Sequence, residues 1–106
     1  MANKFLKVGT RSALAAGKMT RVEVNGMRIL LANVHGRIFA ADDTCSHEDA
    51  SLSSGSLRGQ YVKCPLHGSR FDVCTGQVMD EPAQKDLKTY AVQMDGECIL
   101  LELPEI

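Results

Sequence analysis

Arg21-Val22-Glu23-Val24-Asn25-Gly26-Met27-Arg28-Ile29-Leu30-Leu31-Ala32-Asn33-Val34 is the stretch whose reading decides the fold. Arg21 to Val24 alternate polar and apolar, as a strand with one buried face does. Asn25-Gly26 follows, and Met27 to Val34 resumes as a mostly apolar run. A tight hairpin loop of this kind needs φ > 0 at both central residues. Asn-Gly meets that need at little steric cost, so Met27 opens the returning strand. His35-Gly36 separates Ile29–Val34 from Arg37–Ala40, which predicts a second hairpin, and Asp95-Gly96 between Thr89–Met94 and Glu97–Leu103 predicts a third. Hairpins in series point to an antiparallel all-β domain. Ser12–Met19 contains Ala-Leu-Ala-Ala but is cut by Gly17, which allows one helical turn at most.

The chain has 106 residues, which predicts one domain spanning 1–106. A chain of this size builds a modest core but has little left for a roomy enzyme cleft. Twelve Lys and Arg against thirteen Asp and Glu leave a net charge of −1. That balance argues against nucleic acid and against a polybasic membrane anchor. Aromatics make up 5% and Trp is absent, leaving little to stack on single-stranded bases. The longest apolar runs, such as Ile29–Ala32 and Cys98–Leu101, span four residues. A membrane-spanning helix needs about twenty and a signal-peptide core about seven, so neither is expected. The expectation is therefore a cytoplasmic monomer whose cysteines stay reduced.

Cysteine and histidine are not spread evenly. Residues 42–84 hold three of four cysteines and two of three histidines, but only four of nine glycines. A loop-rich, ligand-bearing insertion in a β-scaffold fits that distribution. Within it, Cys45-Ser46-His47 is followed after sixteen residues by Cys64-Pro65-Leu66-His67. Each segment offers a thiolate and an imidazole to a common centre. Such donors suit zinc, iron–sulfur clusters or copper and disfavour magnesium and calcium. Structural zinc sites usually pair like ligands locally, whereas each local pair here is mixed. Mixed pairs suit a binuclear cluster in which one iron takes two Cys and the other two His.

The pattern Cys45-x-His47-x₁₆-Cys64-x₂-His67, with Cys-Pro-Leu-His-Gly-Ser in its second half, resembles the Rieske 2Fe–2S motif. With the length and the hairpins, the chain is most similar to the soluble Rieske-type ferredoxins of bacterial multicomponent aromatic-ring dioxygenases. The resemblance implies a Rieske-like β-sandwich with a cluster-binding subdomain at about 42–84. It implies one 2Fe–2S cluster, with Cys45 and Cys64 on one iron and His47 and His67 on the other. It further implies a one-electron carrier, not an enzyme by itself. Electrons would come from a flavin-containing, NAD(P)H-dependent ferredoxin reductase and go to a terminal oxygenase. Two other readings stand beside it. One is a Rieske-like small subunit of a larger reductase, such as a nitrite reductase; the other is a zinc-stabilised interaction module.

Two departures from the respiratory Rieske pattern carry physical content. Leu66 stands where that pattern has a second-loop cysteine, and Glu48–Gly55 contains none, so no disulfide braces the loops. Phe71 stands where it has a hydrogen-bonding Tyr, leaving Ser69 as a donor. Fewer donors to an electron-rich cluster predict a low reduction potential. Elsewhere, Cys74 and Cys98 read as structural thiols and His35 as a turn residue. Glu48, Asp49, Arg58 and Arg70 read as a solvated face, or functionally as a docking rim. Pro82 reads as a turn proline, and by resemblance as part of a third loop shielding the cluster.

Overall fold

The computed structural model describes residues 3–45, 50–66, 68–81, 83 and 85–104, with backbone alone at 3, 4 and 104. Ten strands form three antiparallel sheets: β1 (Asn3–Thr10), β2 (Met19–Val24), β3 (Met27–Val34), β4 (Arg37–Asp42), β5 (Ser56–Arg58), β6 (Tyr61–Lys63), β7 (Arg70–Asp72), β8 (Thr89–Tyr90), β9 (Val92–Asp95) and β10 (Cys98–Pro104). The sheets run β1-β10-β9, β2-β3-β4-β8 and β5-β6-β7. Among the described residues helix is confined to single 3₁₀ turns at Arg11–Ala13 and Leu52–Ser54, so the one turn allowed near Ser12 lies at its start. Among the described residues no helix is long and apolar enough to cross a membrane.

The deciding stretch folds as read. Val24 pairs with Met27 across Asn25 (φ 52°) and Gly26 (φ 77°), and Val34 pairs with Arg37 across His35 (φ 52°) and Gly36 (φ 93°). Both loops have left-handed backbone at both central residues, the turn that matches strand twist. Ile29 to Val34 are all buried because β3 lies in a sheet covered on both faces. Ile29 and Leu31 face Ile99, Leu101 and Leu103, while Leu30, Ala32 and Val34 face Leu52, Val62, Phe71 and Val73. An alternating strand buries half its side chains; a central one buries all of them, and its sequence loses the alternation.

The third hairpin needs correction in two places. Cys98 pairs with Asp95, so the loop is Gly96-Glu97, not Asp95-Gly96. Gly96 takes φ 61° at the first central position, which only glycine occupies cheaply. Nor is Thr89–Met94 one strand. Thr89–Tyr90 pairs with β4, whereas Val92–Asp95 pairs with β10, so this segment passes from one sheet to another at Ala91. The loop-rich stretch also contains a sheet of its own, β5-β6-β7, whose inner residues Val62 and Phe71 are fully buried. That small sheet positions the second ligand loop.

Candidate metal centre

Each candidate ligand loop leaves a strand and is pinched shut by a matching bond. The first follows β4. The Cys45 N–H donates to the Ala50 carbonyl at 2.9 Å, beside an isolated bridge between Thr44 and Ser51. The second follows β6. The Cys64 N–H donates to the Ser69 carbonyl at 2.8 Å, and Gly68 N–H returns to the Cys64 carbonyl at 3.1 Å. In both, a cysteine opens the loop and bonds to the residue five positions on. Gly68 closes the turn at φ 76°, a conformation that disfavours any residue with a Cβ.

Cys45 and Cys64 are 4% and 2% exposed and belong to one core cluster with Leu52, Val62, Phe71 and Ala83. None of the four cysteines is in a disulfide. Two buried thiols in one apolar core cluster, neither in a disulfide, offer soft, water-shielded donors that suit iron or zinc better than hard cations. Of the four ligands expected from sequence, the structure places these two in the same buried core cluster. His47 and His67 lie outside the described residues, as do Glu48, Asp49 and Pro82. Among the described residues no three His, Cys, Asp or Glu side chains converge as a further metal site.

Phe71 and Ser69, the two positions that bear on hydrogen-bond donors, are both buried. Phe71 is fully buried in the thiols' own core cluster and has no polar atom to offer. Ser69, 1% exposed, accepts the Ala83 N–H at 3.1 Å, which leaves its own hydroxyl proton to donate. That bond also ties a third segment to the second loop. Met79 N–H donates to the Arg70 carbonyl at 2.8 Å, and Ala83 belongs to the same core cluster as Cys64. Leu66, at the tip of the second loop, is 60% exposed.

Sequence reasoning missed Asp43, the residue that holds the first loop. It is fully buried. Its N–H donates to the Arg28 carbonyl and its carbonyl accepts Leu52 N–H at 2.7 Å. Its side chain accepts Ser53 N–H at 2.8 Å and the Ser51 hydroxyl. The signal was the serine-rich run 51–54 after an Asp pair, since short polar side chains commonly tie down neighbouring backbone. Lys63, directly before Cys64, was also missed. Of the expected rim, Arg70 is held by Asp80, 2.5 Å from its Nε, and this bond keeps the Asp80 carboxyl below the usual range. Cys74 and Cys98 are half-buried; burial, with Asp72 close by, pushes the Cys74 thiol up. His35 sits exposed at its hairpin tip.

The profile of the Rieske [2Fe-2S] domain matches residues 4–91. The chain is 38% identical over 103 residues to the ferredoxin component of the naphthalene 1,2-dioxygenase/salicylate 5-hydroxylase systems of a Ralstonia species, covering 97% of this chain and 99% of that one. It is 41% identical over 97 residues to the ferredoxin component of biphenyl 2,3-dioxygenase from Rhodococcus jostii RHA1, covering 92% and 91%. A chain in the complex of reduced oxygenase and oxidized ferredoxin in carbazole 1,9a-dioxygenase superposes with a TM-score of 0.88 at 34% identity, covering 92% of this chain and 91% of that one.

Proposed function

This chain belongs to the Rieske [2Fe-2S] domain family, and from that premise we propose that it is the ferredoxin component of an aromatic-ring dioxygenase system. It accepts one electron from a flavin-containing, NAD(P)H-dependent reductase and delivers it to a terminal oxygenase. The observation that carries this reading is the pair of buried thiols, Cys45 and Cys64, set in matching pinched loops of a chain with full-length ferredoxin relatives. Cys45 and Cys64 hold one iron, and His47 and His67 hold the other. When bound, the [2Fe-2S] cluster supplies reversible one-electron chemistry.

The protein's own residues do the rest. Leu52, Val62, Phe71 and Ala83 exclude water from the thiol side, which lowers the local dielectric. Asp43 ties the base of the first loop to Ser53, and the Ser69–Ala83 bond ties the second loop to a third segment. Residues 42–84 act as the cluster-binding unit, and the rest of the β-structure is its scaffold. The protein works in the cytoplasm as a diffusing monomer, and transient redox encounters of this kind use small interfaces.

Reconstitution tests the proposal. A mixture of NAD(P)H, a flavin-containing ferredoxin reductase and the terminal oxygenase of a naphthalene dioxygenase system should hydroxylate its substrate only when this chain is added. The Cys64→Ser variant should not support the reaction. Turnover at the same rate without the chain, or undiminished turnover with Cys64→Ser, would contradict it.

A further inference from the structure

The register of β5-β6-β7 puts Ser56 and Arg70 opposite Lys63, and Arg58 opposite Tyr61. With a period of two along each strand, these five side chains share the outer face of the sheet with Asp72, which stands opposite Tyr61 and is taken up by the Gln60 amide and the Cys74 N–H, while Val62 and Phe71 occupy the inner one. They line a groove of about 420 Å³. Three of the five are cations, and none of the described lining residues is acidic, in a chain whose net charge is −1. Arg70 is held by Asp80 and stacks over Tyr61, its guanidinium carbon 5.7 Å from the ring centre. Arg58 and Lys63 make no contact ion pair with any described residue, although Lys63 lies near enough to Asp80 to help hold its carboxyl down. A second depression shares Ser56 and Lys63 with the first and extends it past Pro65 and Gly68 to Cys64. Lys63 lies along this path, its Cε 3.2 Å from where a Cβ on Gly68 would stand, so glycine there makes room for the lysine stem.

We propose that this cationic face is a docking surface for a carboxylate-rich patch on the redox partner, with Arg58 and Lys63 as its two anchors. The proposal rests on the carrier reading above. An acidic surface seated in the groove would lie against the loop that Cys64 opens, so one encounter would bring charge recognition and the redox centre together. Steering by such a patch raises encounter rates by about 10–10³-fold and falls off steeply with salt.

A carboxylate-terminated alkanethiol monolayer on gold serves as the acidic probe, with an ammonium-terminated monolayer as its opposite. Electron exchange of the cluster-loaded full chain is measured by voltammetry at about 0.01 M and about 0.1 M salt, where the screening length falls from about 30 Å to about 10 Å. The paired variant Arg58→Glu/Lys63→Glu is compared with Lys18→Glu/Arg21→Glu, which has the same net charge but alters exposed residues at β2 and the turn before it. Exchange is expected only at the carboxylate surface. It should drop about tenfold or more in the groove variant at low salt, change little in the control, and lose the difference at high salt. Equal exchange at the two monolayers, or equal loss in the two variants, overturns the assignment. Dithionite distinguishes the other failure: if it does not reduce the wild-type centre, the carrier reading falls instead.

Discussion

Gly55 sits at the end of the Leu52–Ser54 turn, where its N–H donates to the Leu52 carbonyl at 2.9 Å. A Cβ at this position would lie 1.9 Å from the Lys63 carbonyl oxygen, 3.1 Å from its carbon and 3.2 Å from the Leu52 carbonyl oxygen. Contacts of a real Cβ do not fall under 3.0 Å, so in Gly55→Ala the Lys63 carbonyl must retreat by about 1 Å. Lys63 ends β6, is paired on both sides with Ser56 and Arg70, and precedes Cys64. The displacement therefore reaches the second ligand loop. Overpacking against side chains costs about 1–3 kcal/mol, and two backbone neighbours that cannot rotate away put this case at the upper end. About 3 kcal/mol lowers Tm by roughly 12–24 °C in a domain of this size. The assay is the thermal midpoint of the holoprotein together with iron and sulfide per chain. Gly9→Ala, where the added methyl meets open space, should leave both unchanged. A Gly55→Ala protein with the wild-type midpoint and full iron content would refute the reasoning.

Asp43→Ala removes the acceptor of the Ser53 N–H and leaves the Ser51 hydroxyl with Ser53 Oγ alone, costing about 1–3 kcal/mol by urea titration, and yields cluster-poor protein; full loading at unchanged stability would contradict this. Phe71→Tyr places a hydroxyl donor in the core that contains both thiols, so the midpoint potential measured by redox titration should rise, whereas an unchanged or lower value removes the donor-shortage argument. Arg70 holds the Asp80 carboxyl below its usual range, so the pair stabilises the fold above the unfolded-state value of about 4 and the contribution is lost as pH falls through the lowered value. Asp80→Asn should accordingly flatten the acid limb of the stability–pH curve while the two proteins converge at the lowest pH; parallel curves would count against it.

Features specified by neighbours in sequence were legible, and features specified across the fold were not. Asn25-Gly26 and His35-Gly36 declare their hairpins because a left-handed backbone at two adjacent residues is a local demand. The ligand pattern is local too, with each cysteine bonded to its own loop five residues on. By contrast, β5, β6 and β7 are three residues each, too short for periodicity to register, and only their pairing makes a sheet. β1 has no turn signal at its start and takes its register from β10, with a bulge between Lys7 and Gly9. The passage of 89–95 from one sheet to another leaves no mark in a run that reads as one strand. Asp43 itself carries no mark in the sequence because the groups that satisfy it, Ser51 and Ser53, return to it only once the loop has closed.

The central claim is unlike ligation of two irons within this one small β-domain. Electron paramagnetic resonance of the dithionite-reduced, anaerobically isolated protein tests it most directly. The expected result is a rhombic signal of low average g, as mixed nitrogen and sulfur ligation requires. A colourless protein carrying stoichiometric zinc, or a reduced signal typical of four-cysteine ligation, would contradict it.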